Sequence, residues 1–319
     1  MNKKAIVAAA LLVTIGLIAF TAVMAASGWD LAKLSTEKYF LSAYEPSADF
    51  SDISIKTDTA DIFILPSDDE KCKVVCYEAE NAMHSVSAEN GVLTVNAVDT
   101  RKWFEYIGIN FETPTITVYL PENEYSSLVI KEKTGDIEIS DNFSFGNIDI
   151  SVSTGDVECF ASAAETAKIS TTTGDIDLEN MSAGIIELSV STGSVSVSSV
   201  KCENDIKVSV STGKTQLTDI TCRSVISRGS TGDILLKNVI AAEKFSIERS
   251  TGDVKFDASD ASEIFVETDT GDVSGSLLTE KIFIAESDTG NVEVPKSVTG
   301  GRCEINSDTG DIRIAVKTN

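Results

Sequence analysis

The sequence predicts an all-β fold, a β-solenoid of the single-stranded β-helix type. About ten coils of 19–20 residues follow a β-rich N-terminal cap region and one N-terminal transmembrane helix. Three observations predict this architecture. A Thr-Gly pair recurs at a nearly constant interval, apolar and polar residues alternate between the pairs, and the chain opens with a long uncharged segment. A strict internal period indicates similar structural units that stack along one axis, each contacting only its neighbours.

The recurring Thr-Gly pair is interpreted as the corner of each coil. Ten such pairs follow one another at intervals of 19 or 20 residues. Glycine suits a sharp bend because it adopts positive φ without steric cost. We therefore expect a structural turn at ten glycines: Gly135, Gly155, Gly174, Gly193, Gly213, Gly232, Gly252, Gly271, Gly290 and Gly310.

The residues between corners alternate with the period of β-strands. In the coil Thr173–Thr192, Ile176 and Leu178 are predicted to face inward on one strand, Met181 to fill a bend, and Leu188 to face inward on the returning strand. One coil is too short to bury its apolar side alone, whereas stacked coils close a continuous core. At about 4.8 Å per coil, ten coils form a rod of roughly 45–50 Å.

The residues around each corner glycine have predicted structural roles. An Asp after the glycine can accept hydrogen bonds from nearby backbone N–H groups and hold the turn. Continuing the alternation from Val190 places Thr192 inward, which predicts a row of threonines that bond to one another inside the rod. A weaker alternative function is ice binding through a threonine ladder, and an inward row argues against it.

The Asp row has a second interpretation as a calcium site. Calcium takes about six to eight oxygen ligands, and one such carboxylate per coil supplies them poorly. The structural interpretation is therefore favoured, and no cofactor is predicted. If calcium binds at all, the candidates are acidic residues of the C-terminal coils: Asp269, Asp272, Asp288, Asp308 and Asp311.

Residues 1–28 are predicted to be a membrane anchor or an export signal. Lys3 and Lys4 precede an uncharged run, Ala5–Ser27, that is long enough to cross a bilayer of about 30 Å as a helix. Lysines before the run favour a cytoplasmic N-terminus. This predicts a single-pass protein of the cell membrane with an extracytoplasmic C-terminal domain. The alternative is a protein secreted after cleavage at small residues such as Ala25.

Three segments follow the anchor. Residues 29–48 are predicted to form a stalk, residues 49–132 a β-rich cap region, and residues 133–319 the Thr-Gly-Asp repeat solenoid. The cap region lacks the period, but "TADI" at 59–62 resembles a degenerate corner, as expected of an atypical terminal repeat. An insertion with Trp103, Phe104 and Tyr106 is either a packing plug or a contact site.

The charge and the single histidine exclude several functions. Fifty acidic against 26 basic residues give a net charge of −24, without the basic patch that nucleic-acid binding needs. His84, the only histidine, lies outside the repeats and is interpreted as a surface or strand residue. Without a second candidate base or a motif around it, no nucleophilic catalytic set is predicted.

Two of the six cysteines fall at equivalent positions of adjacent coils. Cys202 and Cys222 each follow a corner glycine by nine residues. Stacking would bring their Cα atoms to about 5 Å, within the range of a disulfide. The pair is therefore either a disulfide or two buried thiols.

The end of the chain raises the question of self-association. "GDIRIAVKTN" stops after the first strand of a new coil, without an evident cap. An open solenoid end exposes unpaired strand edges, which predicts either blunting by Arg313 and Lys317 or end-to-end pairing of two molecules.

The order of these elements resembles a known family. "ITVYLPENEYSSLVIKEKTGDIEIS" followed by serial "STGD" turns is similar to the bacterial putative-adhesin family of unknown function, which includes LiaG-like and YvlB-like proteins of Gram-positive envelope-stress operons. The resemblance implies a membrane-anchored β-solenoid on the cell surface. It brings no catalytic residues.

These observations together predict a non-enzymatic, membrane-tethered extracytoplasmic adhesin or envelope-stress-associated scaffold. Its solenoid surface would bind a cell-envelope or host ligand, because long solenoid faces offer extended contact surfaces. One alternative is a calcium-binding structural surface rod. A less favoured alternative is a β-helix enzyme acting on polysaccharides.

Overall fold

A computed structural model describes residues 3–26, 28–29, 38–100 and 112–317. It contains one helix, α1 (Lys3–Ala26), and strands that join into a single sheet wound as a β-solenoid of about ten turns. The predicted all-β solenoid is confirmed. Within the described residues, no helix has both the length and the apolarity to cross a membrane. The transmembrane helix stays a prediction.

Seven strands form the N-terminal part of the rod. They are β1 (Tyr39–Tyr44), β2 (Asp52–Lys56), β3 (Asp61–Pro66), β4 (Lys73–Ala79), β5 (Ala82–Glu89), β6 (Val92–Asp99) and β7 (Thr115–Leu120).

The repeats contribute the remaining strands. They are β8 (Glu124–Thr134), β9 (Ile137–Ile139), β10 (Ser144–Thr154), β11 (Val157–Cys159), β12 (Ser162–Thr173), β13 (Ile176–Glu179), β14 (Ser182–Thr192), β15 (Val195–Cys202), β16 (Asp205–Thr212), β17 (Thr215–Thr231), β18 (Ile234–Thr251), β19 (Val254–Thr270), β20 (Val273–Leu277), β21 (Lys281–Thr289), β22 (Val292–Glu293), β23 (Gly301–Thr309) and β24 (Ile312–Val316).

Each coil contributes to two parallel ladders, one on either side of the corner. We call face A the ladder of strands that lead into the corner glycines, and face B the ladder of strands that leave them. Face A runs in space β6, β2, β8, β10, β12, β14, β16, β17, β18, β19, β23, β21. Face B runs β7, β3, β9, β11, β13, β15, β17, β18, β19, β20, β24, β22. Strands β17, β18 and β19 are long enough to serve both.

Inward side chains stack on their counterparts in neighbouring coils. One column on face A consists of Ile150, Ile169, Leu188 and Val208, all at most 2% exposed. Burying each such side chain contributes about 1.5–3 kcal/mol. Because each residue is covered by the coils above and below it, this stabilisation exists only in the stack.

The corner glycines are required by both conformation and space. Nine of the ten have φ between +127° and +157°. A Cβ added to Gly213 would lie 1.8 Å from the carbonyl oxygen of Gly193 in the preceding coil. Each corner backbone therefore lies directly against the next, which leaves no room for a side chain.

The corner threonines face outward, not inward as the alternation predicts. Thr154, Thr173, Thr192 and Thr212 are all exposed, and they pair in register between coils. The preceding residues, such as Ser191, are also exposed, so the alternation is interrupted just before the glycine. The prediction of an inward threonine row is therefore wrong, and the argument against ice binding that rested on it no longer holds.

A second corner in the coil carries non-glycine residues with positive φ. Asn180, Ser199, Asp219, Asn238 and Ala258 have φ between +50° and +55°. Asn and Asp tolerate this left-handed conformation, whereas it costs most L-residues about 1–2 kcal/mol. Ala258 is therefore the unfavourable member of the series.

Replacing Ala258 with asparagine is expected to raise the free energy of unfolding by about 0.5–1 kcal/mol, because Asn adopts the left-handed conformation more readily. Urea unfolding measures the change. The same replacement at Ala242, an exposed residue inside strand β18, is the control and should give no gain. Equal gains at both positions would contradict the conformational explanation.

The last coil in the sequence is not the last in space. Thr309 pairs with Thr270 on one side and with Thr289 on the other, so β23 lies between β19 and β21. On face B, β24 lies between β20 and β22. The expectation that the final segment forms the open end of the rod is therefore wrong. The open edge is formed by β21 and β22, and end-to-end self-association stays a prediction that would use these strands.

Close backbone contacts accommodate this intercalated coil. Gly300 and Gly301 lead into β23, and a Cβ on Gly301 would lie 1.7 Å from the carbonyl oxygen of Ser262. Thr299-Gly300 is an eleventh Thr-Gly pair, outside the period. A buried ion pair fixes the start of β21, with Lys281 Nζ 2.6 Å from Asp260 Oδ1 in β19. Small residues and one ion pair thus mark the place where the chain passes between two coils.

The N-terminal end is closed by antiparallel strands. β4 pairs antiparallel with β1 and β7, and β5 pairs antiparallel with β6. Thr59–Asp61 occupies the first corner, where Thr59 pairs with Thr134. Trp103, Phe104 and Tyr106 lie outside the described residues, as do residues 30–37 of the predicted stalk. The C-terminal part of that predicted stalk contains β1, which pairs with β4 as part of the sheet.

Candidate functional site

The Asp that follows each corner glycine bonds to the next coil. Asp136 Oδ1 accepts the backbone N–H of Asp156 at 2.8 Å, and Asp156 Oδ1 accepts that of Asp175 at 2.7 Å. The series starts at Asp61, which accepts the N–H of Asp136, and is interrupted at the two coils that carry Ser194 and Lys214 in place of Asp. It resumes at Asp233 and ends at Asp311, which accepts the N–H of Asn291. These carboxylates hold successive corners together, whereas the sequence suggested a bond within each turn.

The five calcium candidates divide into two groups. Asp272 and Asp311 belong to the corner series, where Asp272 Oδ1 accepts the N–H of Asp311 and Asp311 also contacts Arg313. Asp269, Asp308 and Asp288 precede the corner and are exposed. The registers of β19, β23 and β21 place these three side by side in that order.

The stacked carboxylates do not form a preassembled cage. Among the described residues, the one group of at least three histidine, cysteine or acidic side chains with donor atoms within 4.8 Å of one another is Cys76, Glu78 and His84. The three stacked Asp residues do not meet that spacing. Calcium would have to draw them together against the geometry of the ladder.

A patch of hydroxyl side chains covers the middle of face A. It comprises three adjacent rows over four coils, which we call the hydroxyl face: Ser151, Ser153, Thr154, Ser170, Thr172, Thr173, Ser189, Ser191, Thr192, Ser209, Ser211 and Thr212. Only Ser170 of this set donates a side-chain hydrogen bond to the protein among the described residues, to Ile150 O at 3.3 Å. The other hydroxyls are free for a ligand. This uncharged polar patch is notable in a chain of net charge −24.

Glu132 is a buried carboxyl near the first corners. Its Oε1 accepts the backbone N–H of Ala60 at 3.0 Å, while Oε2 is buried without a hydrogen-bond partner among the described residues. Burial raises the pKa of Glu132 to about 8, and nearby Asp61 and Asp136 add to the increase. This carboxyl is therefore largely neutral at pH 7.

Both cysteines of the predicted pair are buried. The structure contains Cys202 and Cys222 as free thiols, and a disulfide between them stays a prediction. Cys202 Sγ lies 3.5 Å from Gly184 O and 3.6 Å from Asp205 O, in contact with backbone carbonyls. Burial raises the pKa of the Cys222 thiol to about 12. These thiols behave as small core residues.

His84 lies on strand β5, which is one of its two predicted placements, and it is buried, so the other placement, on the surface, is wrong. Its backbone N–H donates to Glu78 Oε2 at 2.7 Å, and its Nδ1 lies 3.0 Å from the same oxygen. Its Nε2 lies 2.9 Å from Thr57 Oγ1. The signal in the sequence was "KVVCYEA", where the alternation that points Val74 and Cys76 inward also points Glu78 inward.

The chain matches a known family over most of its length. The Toastrack DUF4097 family matches residues 50–209 and 201–319. No curated protein is detectably similar.

Several solved structures are similar in shape. A putative adhesin from Bacteroides fragilis is 16% identical with a TM-score of 0.44, covering 88% of this chain and 98% of that chain. A putative lipid binding protein from Parabacteroides distasonis is 16% identical with a TM-score of 0.47, covering 77% and 98%. A putative adhesin from Parabacteroides merdae is 10% identical with a TM-score of 0.46, covering 88% and 97%. Because the family match spans well over half of the sequence, the chain belongs to the Toastrack DUF4097 family.

Proposed function

We propose that this protein is a non-enzymatic, membrane-tethered extracytoplasmic adhesin or scaffold, and that its hydroxyl face binds a glycan of the cell envelope or of a host surface. The observation that carries the proposal is the hydroxyl face itself. Its rows of unbonded Ser and Thr side chains repeat at the spacing of β-strands, about 4.8 Å. Such an array offers many hydrogen-bond donors and acceptors to an extended polyhydroxyl chain.

The charge distribution supports a neutral ligand. The hydroxyl face is free of carboxylates, whereas the C-terminal end of face A carries Glu248, Glu267, Asp269 and Asp308. An acidic polymer would be repelled by this end. A neutral glycan would be tolerated along the whole face.

Tethering rests on the sequence of the N-terminus. Lys3 and Lys4 before the uncharged run Ala5–Ser27 favour an extracytoplasmic solenoid on a single-pass anchor. Fractionation of cells that express the full chain, followed by protease treatment of intact cells, tests this part. Membrane retention with a protease-accessible solenoid supports it, and release of the protein into the medium contradicts it.

The ligand part is tested on a glycan array with the full-length protein. Binding should be lost in Ser191→Glu, which places a charge in the centre of the hydroxyl face. Ser196→Glu is the matched control, since Ser196 lies on face B of the same coil and should keep binding. Absence of binding to any glycan, or equal loss in both variants, would contradict the assignment. If the same face instead causes thermal hysteresis, its ligand is ice and not a glycan.

A second candidate is a calcium-stabilised rod, favoured by the stacked row Asp269, Asp308 and Asp288. Like charges side by side destabilise a ladder, and a cation between them would relieve the repulsion. If this function holds, Ca²⁺ raises the midpoint of thermal unfolding, and Asp308→Asn abolishes the increase. Asp149→Asn, on the same face beside Lys168, is the control. An unchanged midpoint with Ca²⁺ removes this candidate.

A further inference from the structure

The buried cluster around His84 has the donors of a metal site. Cys76 and Glu78 point inward from β4, two residues apart, and His84 faces them from β5. Cys76 and Glu78 are fully buried and His84 is 5% exposed. The hairpin thus brings a thiol, a carboxylate and the only imidazole of the chain into one place inside the N-terminal cap.

The spacing of these donors fits one shared ion. One ligand atom from each residue lies within 4.8 Å of the other two, and His84 Nδ1 is 3.0 Å from Glu78 Oε2. In a tetrahedral zinc site, nitrogen and oxygen ligands lie about 2.0–2.2 Å from the metal and sulfur about 2.3 Å. Two ligands of a tetrahedral ion at those lengths are roughly 3.3–3.6 Å apart. Side-chain movements of about 1 Å would therefore complete the coordination.

An unpaired oxygen gives independent support. Glu78 Oε1 is buried without a hydrogen-bond partner among the described residues. A buried polar atom without a partner is costly, and a buried carboxylate costs more unless a positive charge compensates it. A cation beside Glu78 would supply both the missing partner and the missing charge.

The surroundings of His84 hold its ring as a metal ligand needs. Thr57 Oγ1 lies 2.9 Å from Nε2, so in the tautomer that carries its proton on Nε2 the Nε2–H can donate to this hydroxyl. In that tautomer Nδ1 carries a lone pair toward Glu78 Oε2, 3.0 Å away, and a metal held by both atoms would replace the direct contact. Metal-bound histidines usually donate their second ring N–H to a fixed acceptor. Tyr44 also donates its hydroxyl to the His84 carbonyl at 3.1 Å, which fixes the backbone.

A cleft reaches one member of the cluster. It has a volume of about 510 Å³ and is lined by Thr57, His84, Met83 and Tyr39, among other residues, whereas Cys76 and Glu78 do not line it and are fully buried. An ion or a water molecule in the cleft can therefore approach the cluster from the side of His84.

We propose that Cys76, Glu78 and His84 bind a divalent transition metal ion of the zinc type, with water from the cleft as the fourth ligand. Thiolate and imidazole donors select zinc-like ions over calcium and magnesium, which take oxygen ligands. The Thr57–His84–Glu78 order also resembles a hydroxyl–imidazole–carboxylate relay. A relay of this kind would give no role to Cys76 or to Glu78 Oε1, whereas a bound metal ion would contact both. The site is independent of the hydroxyl face.

The test uses the full-length protein, produced in zinc-supplemented medium, then stripped with a chelator and titrated with Co²⁺. We expect one equivalent of bound zinc as purified. We also expect one equivalent of Co²⁺ with a thiolate-to-cobalt charge-transfer band, which Zn²⁺ displaces. Zn²⁺ should also raise the melting temperature. Cys76→Ser and His84→Gln should lose the band and the shift in melting temperature. Cys159→Ser, a buried thiol in the repeats, is the matched control and should keep both.

Three results would overturn the proposal. A protein that purifies without metal and binds no Co²⁺ has no such site. A charge-transfer band that persists in Cys76→Ser places the ion elsewhere, and weak binding of many equivalents without a thiolate band assigns it to the acidic surface. If the variants fail to fold, the cobalt spectrum of the unmutated chain decides, because it must contain one thiolate and one imidazole ligand.

Discussion

Replacing Gly213 with alanine is expected to lower the free energy of unfolding by roughly 3 kcal/mol or more. Gly213 has φ +144°, a conformation that costs a non-glycine residue about 1–3 kcal/mol. The added Cβ would also lie 1.8 Å from the Gly193 carbonyl oxygen, and overpacking of this kind costs about 1–3 kcal/mol more. Because the coils stack through this corner, the ladder would have to open between Gly213 and Gly193. Chemical unfolding monitored by circular dichroism measures the loss.

Gly91→Ala is the control that separates the cost of the backbone conformation from the cost of steric crowding. Gly91 also has positive φ, at +80°, but nothing lies within 4 Å of a Cβ placed there. It should lose only the conformational part, about 1–2 kcal/mol. If the two variants lose the same stability, close stacking of the corners is not what requires glycine.

Replacing Glu132 with glutamine is expected to stabilise the protein strongly at alkaline pH and very little at pH 4. Burial raises the pKa of Glu132 in the folded protein to about 8, from an ordinary value of 4.5. Below pH 4.5 the carboxyl is neutral in both the folded and the unfolded protein, and it causes no loss of stability. As the pH rises from there through 8, the unfolded protein releases this proton more readily than the folded protein does, so the free energy of unfolding falls. The difference between these pKa values corresponds to roughly 4–5 kcal/mol, which is an upper limit for the gain. Glutamine stays neutral and keeps an oxygen for the Ala60 N–H.

Urea unfolding of both proteins at pH 4, 6 and 9 measures this dependence. Glu138→Gln is the control, because Glu138 is an exposed carboxylate on the neighbouring strand β9. It should show no comparable rise with pH. A constant difference between wild type and Glu132→Gln across this range would mean that Glu132 is charged in the folded protein.

The sequence predicts the coil because the same physical demand recurs in every repeat. The period and the alternation alone were enough to predict the corner glycines and the inward apolar residues, such as Ile176 and Leu188. The threonine row failed because alternation does not continue through a corner. Thr192 follows Ser191 on the same exposed side, a local change of direction that no composition pattern contains.

The candidate sites were harder to predict because they depend on contacts between distant segments. Thr57 meets His84 across 27 residues, and the cap strands that join them carry no repeat. The hydroxyl face includes corner threonines such as Thr192. Their exposed position was missed because the alternation does not continue through the corner. The side-by-side placement of Asp269, Asp308 and Asp288 needed the order of the last two coils, which runs against the order of the chain.

The intercalated C-terminal coil has a consequence for the nascent chain. Strands β23 and β24 leave the ribosome after β21 and β22, yet they occupy interior positions between β19 and β21 and between β20 and β22. Coils can therefore be added in the order of translation only up to β20. The segment Lys281–Glu293 must wait, or release a premature pairing with β19, until β23 and β24 have been synthesised. A chain that terminates before Gly301 would be free to place β21 directly on β19, and its rod would end in a different order of strands.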